Sequence, residues 1–297
     1  MSFLTVLIGL LLNHYWLRDR KLPIDGWFAE WLNWLLVHAH RLPERLHDWY
    51  GTLPLIAIVV PLLPLALVLW LAEGLLFGLL TLGIHVIVLL YCFTRVNQQA
   101  LIDQYLELWR AGDYEAAYLH VNQYVPDVFS RNLEDYAAMH SQFVAYIQET
   151  AFRHLFAVLF WYILLGPMAA LAYWLLLALI RSDRLLMDPD ASGLAGNTLV
   201  LLEWLPARLL AMSYALAGDF VAAFRSLRAH GRGCMDKADN LVLLADCAAA
   251  AVGITKDASG DTDASERAVT GLESLRDLLL RAQVVWVIAL ALTILVV

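Results

Sequence analysis

The longest uncharged stretch of the chain limits its fold more than any other feature. It runs from Leu155 to Ile180 and reads LFAVLFWYILLGPMAALAYWLLLALI, with Arg153 and Arg181 just outside its two ends. A membrane-spanning α-helix needs about 20 consecutive apolar residues, because lipid offers no partner for backbone polar groups. We therefore interpret this stretch as a transmembrane helix with a kink at Gly166-Pro167.

The composition of the whole chain supports a membrane protein. Of its 297 residues, 61% are hydrophobic and 16% are charged, whereas soluble domains average about 45–50% and about 25%. We predict an all-α, polytopic membrane protein with about four transmembrane helices, forming a single integral membrane domain over residues 1–297. Besides the stretch above, the predicted spans are 53–72, 75–93 and 284–297.

The remaining segments are predicted to be helical and to lie at or outside the membrane. In residues 15–50, Trp27, Trp31, Trp34 and Leu35 share one helix face, which suits an interfacial amphipathic helix. The extramembrane helical regions are residues 94–153 and 181–281. Within the second region, TKDASGDTDASERAVTG is small and acidic, which predicts a mobile loop near 255–271.

Two segments of similar sequence predict helical hairpins. They read RAGDYEAAYLHV from Arg110 and LAGDFVAAFRSL from Leu216. In each, the glycine is expected to end a helix in the left-handed conformation, and the aspartate is expected to cap the next helix. The segments resemble the turn of a tetratricopeptide repeat, but they lie about a hundred residues apart. We expect two separate hairpins, since such repeats recur at shorter spacing.

Several function classes find no support in the residue pattern. The net charge is −8 without a Lys/Arg block, so we expect no nucleic-acid partner. The three cysteines show no CxxC spacing, which argues against a disulfide framework and a zinc site. The chain has no HExxH and no Walker loop. We therefore predict no metal, no cofactor and no catalytic residues.

The segment LLEWLPARLLAMSYALAGDF, residues 201–220, combines an apolar run with Glu203, Pro206 and Arg208. A charge at the membrane centre costs about 2.5–3.5 kcal/mol on insertion scales. We therefore predict that residues 199–217 form a buried or interfacial helix rather than a further span. Glu203 and Arg208 lie on different sides of this helix, so each needs a partner elsewhere.

Charged residues next to the apolar segments define the candidate site. Arg153 and Arg181 bracket the uncharged stretch and are natural partners for nearby acids. The predicted site consists of Glu149, Arg153, Arg181, Glu203 and Arg208. Two interpretations stay open: structural ion pairs that anchor helices, or a site where arginines bind an anionic ligand.

The segments LFAVLFWYILLGPMAALAYWLLLALIR and LLEWLPARLLAMSYALAGD resemble the AmpE family. These are inner-membrane proteins of Gram-negative bacteria, encoded with an amidase of cell-wall recycling and linked to β-lactamase induction. The resemblance implies a multi-pass regulatory protein of the bacterial inner membrane. Its implied partners are the lipid bilayer, an envelope-derived anionic small molecule, and a protein partner or a second copy in a homodimer.

That family is in turn similar to the cobalamin-pathway membrane synthases that make adenosylcobinamide phosphate. Those synthases keep the patterns E-N-x-x-D-G and D-D-x-x-N-[WY]-x-P-A-R. Here Thr150 and Arg153 replace the asparagine and aspartate of the first pattern, and Leu199 and Val200 replace the paired aspartates of the second. Such chemistry needs Mg²⁺ and therefore oxygen ligands. The resemblance thus implies an inherited fold without the synthase reaction.

Two other functions remain as alternatives. The first is a diverged membrane amide-forming synthase or transferase related to cobalamin biosynthesis. The second is a muropeptide-type transporter, although about four spans are few and no matched pair of broken helices indicates inverted repeats.

Overall fold

The computed structural model describes residues 2–15, 26–39, 53–72, 78–93, 98–126, 128–129, 135–182, 189–230, 239–253 and 261–296. These residues form helices and connecting turns, without a β-strand among them, and the all-α prediction is confirmed. The helices are α1 (Ser2–Tyr15), α2 (Gly26–Ala39), α3 (Leu53–Ala72), α4 (Leu79–Cys92), α5 (Gln98–Arg110), α6 (Tyr114–Tyr124), α7 (Tyr136–Ala151), α8 (Ala157–Leu165), α9 (Pro167–Ser182), α10 (Pro189–Ala217), α11 (Phe220–His230), α12 (Asp239–Val252) and α13 (Asp261–Val296). A π-helical turn, Phe152–Phe156, joins α7 to α8.

The chain divides into two compact units, where the sequence predicts a single domain. The first unit comprises Met1–Phe93 and Ala157–Leu205, and the second comprises Thr94–Phe156 and Pro206–Val297. Helix α10 contributes residues to both units, and Pro206 inside it is the first residue of its second-unit part.

Apolar helix packing forms the first unit. Helix α4 contacts α1, α8 and α9, while α3 contacts α2, α4 and α9. Leu32, Leu89 and Leu175 are fully buried there. Helix α1 approaches α4 closely at Gly9, because a Cβ at this position would lie 2.8 Å from Cδ2 of Leu89.

The prediction of about four membrane spans is not confirmed. Among the described residues, two helical segments are long and apolar enough to cross a membrane, Leu53–Ala72 and Gly193–Ala217. The first is a predicted span. Helix α4 covers only 14 residues of the predicted span 75–93, and the predicted span 284–297 continues the long helix α13.

The uncharged stretch 155–180 is two helices, which corrects the prediction of one kinked span. Gly166 has φ +84° and donates to the Tyr162 carbonyl at 2.8 Å, and Pro167 begins α9. A left-handed glycine commonly follows a helix end, and proline suits the first helical position. The pair therefore separates α8 from α9 instead of bending one helix.

Helix α10 is a candidate span by length and composition over Gly193–Ala217, but 56% of its most apolar stretch is buried, as in the core helix of a soluble protein. Glu203 is 2% exposed, so its carboxylate faces protein and does not carry the insertion cost of a lipid-facing charge. The side chains that α10 exposes are apolar along most of its length: Leu194, Leu201, Leu205, Leu209, Met212 and Leu216. The prediction that residues 199–217 form a buried or interfacial helix therefore stays open, and the burial of Glu203 agrees with it.

Helix α2 lies within the predicted interfacial segment 15–50, whose flanking parts fall outside the described residues. Leu35 is buried with Phe28 and Leu32, whereas Trp27 and Trp34 are exposed. The predicted common face of the tryptophans and Leu35 is therefore divided between core and surface. A position of these tryptophans at the membrane surface stays a prediction.

The second unit has its own core, in which α5 packs against α6 and α13, and α7 packs against α12 and α13. Tyr105, Phe143 and Leu272 are fully buried in this core. Two exposed ion pairs also join α5 to α13: Arg110 with Glu273 at 2.5 Å and Arg276 with Asp103 at 2.7 Å.

Helix α13 begins inside the predicted mobile loop near 255–271. Residues 254–260 lie outside the described part of the chain, but residues 261–271 are helical, which corrects the prediction for that half. Val269, Leu272 and Leu275 recur at helical spacing and are buried. Burial of this face outweighs the small, acidic composition on which the prediction rested.

Both predicted hairpins of the second unit are present, and their aspartates cap as expected. Asp113 accepts a hydrogen bond from the Ala116 amide, and Asp219 accepts one from the Ala222 amide, each at 3.0 Å. The next alanines, Ala117 and Ala223, are both fully buried. We name these features the first turn (Ala111–Asp113) and the second turn (Ala217–Asp219).

The glycines of the two turns differ. Gly112 has φ +75°, which confirms the left-handed residue predicted there. Gly218 is not among the positive-φ glycines, so the same prediction is wrong for the second turn. A Cβ on Gly218 would lie 2.5 Å from the Ala251 carbonyl oxygen, which also accepts a hydrogen bond from the Asp219 amide at 2.9 Å. This glycine serves a close approach to α12.

Candidate functional site

Three of the five predicted site residues belong to the second unit, and two of these three form a local ion pair. Nη1 of Arg153 donates to Oε1 of Glu149, one helical turn earlier. Both side chains are partly buried, at 19% and 35% exposure, so water screens the pair less than it would at an open surface. The predicted pairing of Arg153 with a neighbouring acid is confirmed for Glu149.

Arg208 bonds to a residue that sequence reasoning missed. Its Nη1 donates to Oδ1 of Asn240 at 3.4 Å, and Asn240 is 3% exposed. Asn240 is the second residue of α12, so this contact ties α10 to the beginning of α12. The only sequence signal was a lone amide at the border of the apolar run LVLLADCAAAAV.

The other two predicted residues, Glu203 and Arg181, belong to the first unit. Oε1 of Glu203 accepts a hydrogen bond from the Tyr173 hydroxyl at 3.1 Å, which joins α10 to α9 inside the unit. Arg181 lies in the last turn of α9 and is exposed. A cluster of all five predicted residues stays a prediction.

Further buried polar side chains of the second unit lie close to these residues in sequence. Tyr214 is fully buried and interacts with the side chain of Gln148. Its hydroxyl, Nε2 of Gln148 and Oγ1 of Thr150 lack a hydrogen-bond partner of normal geometry within the described residues. A buried polar atom without such a partner costs about 1–3 kcal/mol. Other described residues, such as Gln98 and Trp109, also have such atoms, so what distinguishes these three groups is their position next to the predicted site residues.

Little in the sequence distinguishes these residues. Gln148 directly precedes the predicted Glu149, and Tyr214 follows Arg208 by six residues, about 9 Å along a helix. A tyrosine or glutamine in an amphipathic helix is ordinary, and only burial makes these side chains unusual. The three polar atoms are an amide N–H donor and two hydroxyls that can donate or accept.

The chemistry of the second-unit polar groups favours recognition of an anion over bond-making. Guanidinium, amide and hydroxyl donors match carboxylate or phosphate oxygens, and arginine does so with two parallel bonds. Within the described residues, no three His, Cys, Asp or Glu side chains come together as a metal site would require.

Comparison with known proteins gives one match. No curated protein and no solved structure matches the chain. The similarity to the cobalamin-pathway synthases therefore stays a prediction, and neither the synthase nor the transporter alternative gains support. One family model, described as regulatory signalling modulator protein AmpE, matches residues 22–240, which include all five predicted site residues. The chain therefore belongs to the AmpE family of regulatory signalling modulators.

Proposed function

We propose that this AmpE-family protein is a non-catalytic, multi-pass regulator in the bacterial inner membrane that acts in β-lactamase induction and the cell-envelope response. We further propose that it responds to an envelope-derived anionic molecule bound through the polar groups of the second unit. Family membership supports the regulatory role in general.

Helix α3 supports the membrane location. The core helix of a soluble protein is mostly buried, but only 11% of the most apolar stretch of α3 is buried. Leu63, Leu67 and Trp70 are more than half exposed. Burying apolar surface is worth about 25 cal/mol per Å², so a helix of this kind is stable when lipid covers it.

The single observation that carries the ligand proposal is the unpartnered hydrogen-bonding capacity inside the second unit. Gln148, Thr150 and Tyr214 are each at most 5% exposed. Tyr214 and Gln148 interact with each other, while Oγ1 of Thr150 and the remaining hydrogen-bonding capacity of that pair have no partner of normal geometry in the described part of the chain. Arg153, which pairs with Glu149, lies in the π-helical turn that follows Gln148 and Thr150. Arg208, which bonds to Asn240, lies on the helix of Tyr214. An anion bound here would complete the unsatisfied hydrogen bonds.

Arg208→Ala tests the proposal in cells that lack the native protein and express the full-length variant. The variant should reach the membrane fraction at wild-type abundance but lower β-lactamase activity after β-lactam exposure. Loss of a charge-assisted bond should weaken ligand binding by roughly tenfold or more. Arg110→Ala is the matched control, because it removes an exposed ion pair of the same unit and should leave induction unchanged.

Tyr214→Phe separates a ligand group from a structural one. Loss of the interaction between Tyr214 and Gln148 should cost about 1 kcal/mol, so abundance should hold while induction falls. Glu203→Ala, a change in the first unit, tests the wider predicted set of five residues and should also alter induction. If Arg208→Ala and Tyr214→Phe both accumulate and induce like wild type, the ligand proposal is wrong.

A further inference from the structure

The outer face of helix α11 is apolar and aromatic where a water-facing helix would be polar. Phe220, Val221 and Phe224 are 53%, 65% and 44% exposed. The rings of Phe220 and Phe224 stack with their centroids 5.6 Å apart. The opposite side of α11 packs on α12, where Ala223 is fully buried. The helix therefore has one face seated on protein and one apolar face without protein cover within the described part of the unit.

Two other helices of the second unit also expose apolar side chains. At the end of α10, Leu209, Met212 and Leu216 are exposed. On α13, Val284, Ile288 and Leu292 form an exposed stripe at spacings of one helical turn. The second turn, with exposed Gly218 and Asp219, separates the exposed apolar residues of α10 from those of α11 along the chain.

Two contacts show how α13 runs beside the end of α10. Nη1 of Arg281 lies 3.5 Å from the Ala217 carbonyl at the end of α10, and Nε1 of Trp286 donates to Oγ of Ser213 at 2.9 Å. Helix α13 therefore runs antiparallel to this part of α10. The Arg281 guanidinium lies at the end of α10, close in sequence to the beginning of α11. The exposed side chains nearest to it along α10 and α13 are apolar.

Basic side chains accompany the aromatic ones on α11. Its sequence, FVAAFRSLRAH, contains Arg225 and Arg228, both exposed, and no acidic residue. This is notable in a chain of net charge −8. Aromatic rings with neighbouring arginines suit the headgroup layer, where the rings enter the acyl boundary and the guanidiniums bind phosphate.

Helix α6, which follows the first turn, provides an internal contrast. Its aromatic residues pack inward, Tyr114 on Trp109 and Tyr118 on Phe129. At the position of Val221 it carries the exposed acid Glu115. The equivalent helices therefore differ at two exposed positions: α6 has Glu115 and Leu119 where α11 has Val221 and Arg225.

We infer that α11 lies in the headgroup layer of the bilayer and binds anionic phospholipids through Phe220, Phe224, Arg225 and Arg228. This inference rests on the proposed membrane location, but not on the anionic ligand or on β-lactamase induction.

Site-specific photocrosslinking tests it in the full chain. The photoreactive amino acid benzoylphenylalanine replaces Phe224, the protein is reconstituted in vesicles of phosphatidylcholine and phosphatidylglycerol, and adducts are identified by mass. The matched control replaces Leu119, an exposed residue of α6. A third variant replaces Leu63 on the exposed face of α3 and reports membrane insertion. We expect lipid adducts at positions 224 and 63 and none at 119.

The outcomes separate this inference from the proposed function. Lipid adducts at 63 but not at 224 overturn the position of α11 alone, and so does a crosslink from 224 to a second copy of the chain. Absence of lipid adducts at both positions overturns the membrane location as well.

Arg225→Gln combined with Arg228→Gln tests the charge preference with the photoprobe at position 224. The share of phosphatidylglycerol among the adducts should fall about fivefold for each arginine removed. Both residues are exposed, so folding should be unaffected. An unchanged lipid preference overturns the assignment of anionic headgroups.

Discussion

The two turns of the second unit share a sequence pattern but need glycine for different reasons. In both, an aspartate caps the following helix at 3.0 Å and a buried alanine packs beneath it. Gly112 has a positive φ that other residues rarely adopt, whereas Gly218 makes room for the Ala251 carbonyl. The pattern therefore fixes the cap and the packing, while the surroundings decide what the glycine does.

The helices that follow the turns also differ in what they face. After the first turn, Tyr114 and Tyr118 pack into an aromatic core with Trp109 and Phe129. After the second turn, Phe220 and Phe224 remain exposed. One local motif thus serves as an interior support in one place and as a surface element in another.

The largest expected difference between the two turns is the loss of stability when their glycines are substituted. Gly218→Ala should lower the free energy of unfolding by about 3 kcal/mol, because the added methyl group meets a backbone oxygen that cannot move aside cheaply. Gly112→Ala should cost about 1 kcal/mol, which is the strain of a left-handed alanine. Denaturant unfolding in detergent micelles measures both.

Asparagine at the same positions provides the control. Asn tolerates the left-handed conformation, so Gly112→Asn should be milder than Gly112→Ala. At position 218 the larger side chain should be worse than alanine. The same order of stability at both positions would contradict the assignment.

Acid should destabilise the packing of α5 against α7 more than that of α11 against α12. Burial lowers the pKa of His140 to about 4, partly opposed by a hydrogen bond with the Ala268 backbone, and its Nδ1 faces the Tyr105 hydroxyl at 3.2 Å. As the pH falls from about 6.5 to about 4, the unfolded chain takes up a proton that the folded chain does not. Stability is fully present above this window and should fall by up to about 3 kcal/mol within it.

Hydrogen exchange at several pH values resolves this effect. Protection of α5, α6 and α7 should fall with acid more than that of α11 and α12. His140→Gln should remove the additional loss. Equal acid sensitivity of the two hairpins, or an unchanged pH profile in the variant, would argue against a role for His140.

The smallest expected effect is the loss of the aspartate cap, which both turns have. Asp113→Ala and Asp219→Ala each remove a single capping bond of the same length, so each should cost about 1 kcal/mol. Serine at either position should retain most of the stability. Thermal unfolding measures the two losses, and a clear difference between them would show that the caps are not equivalent.

Local features of this fold could be predicted from the sequence, and features that depend on distant segments could not. The caps at Asp113 and Asp219 and the pair of Glu149 with Arg153 involve residues within four positions of each other. The role of Gly218 depends on Ala251, and the partner of Arg208 is Asn240. No short window of sequence contains these pairs.

The apolar segments show the same limit. Composition identified Leu53–Ala72 correctly as a candidate span, but hydropathy alone could not show that Gly166 ends a helix within the longest uncharged stretch. For α10, the sequence shows that Glu203 is charged but not that its side chain is buried against Tyr173 of α9.

Helix α12 is fastened near each of its ends. Asn240 accepts a bond from Arg208, and the Ala251 carbonyl accepts one from the Asp219 amide just beyond α10. The same number of residues separates the two attachments on each segment, so α12 runs in the same direction as this part of α10. Loss of either bond should therefore leave α12 attached to this part of the chain at one end only.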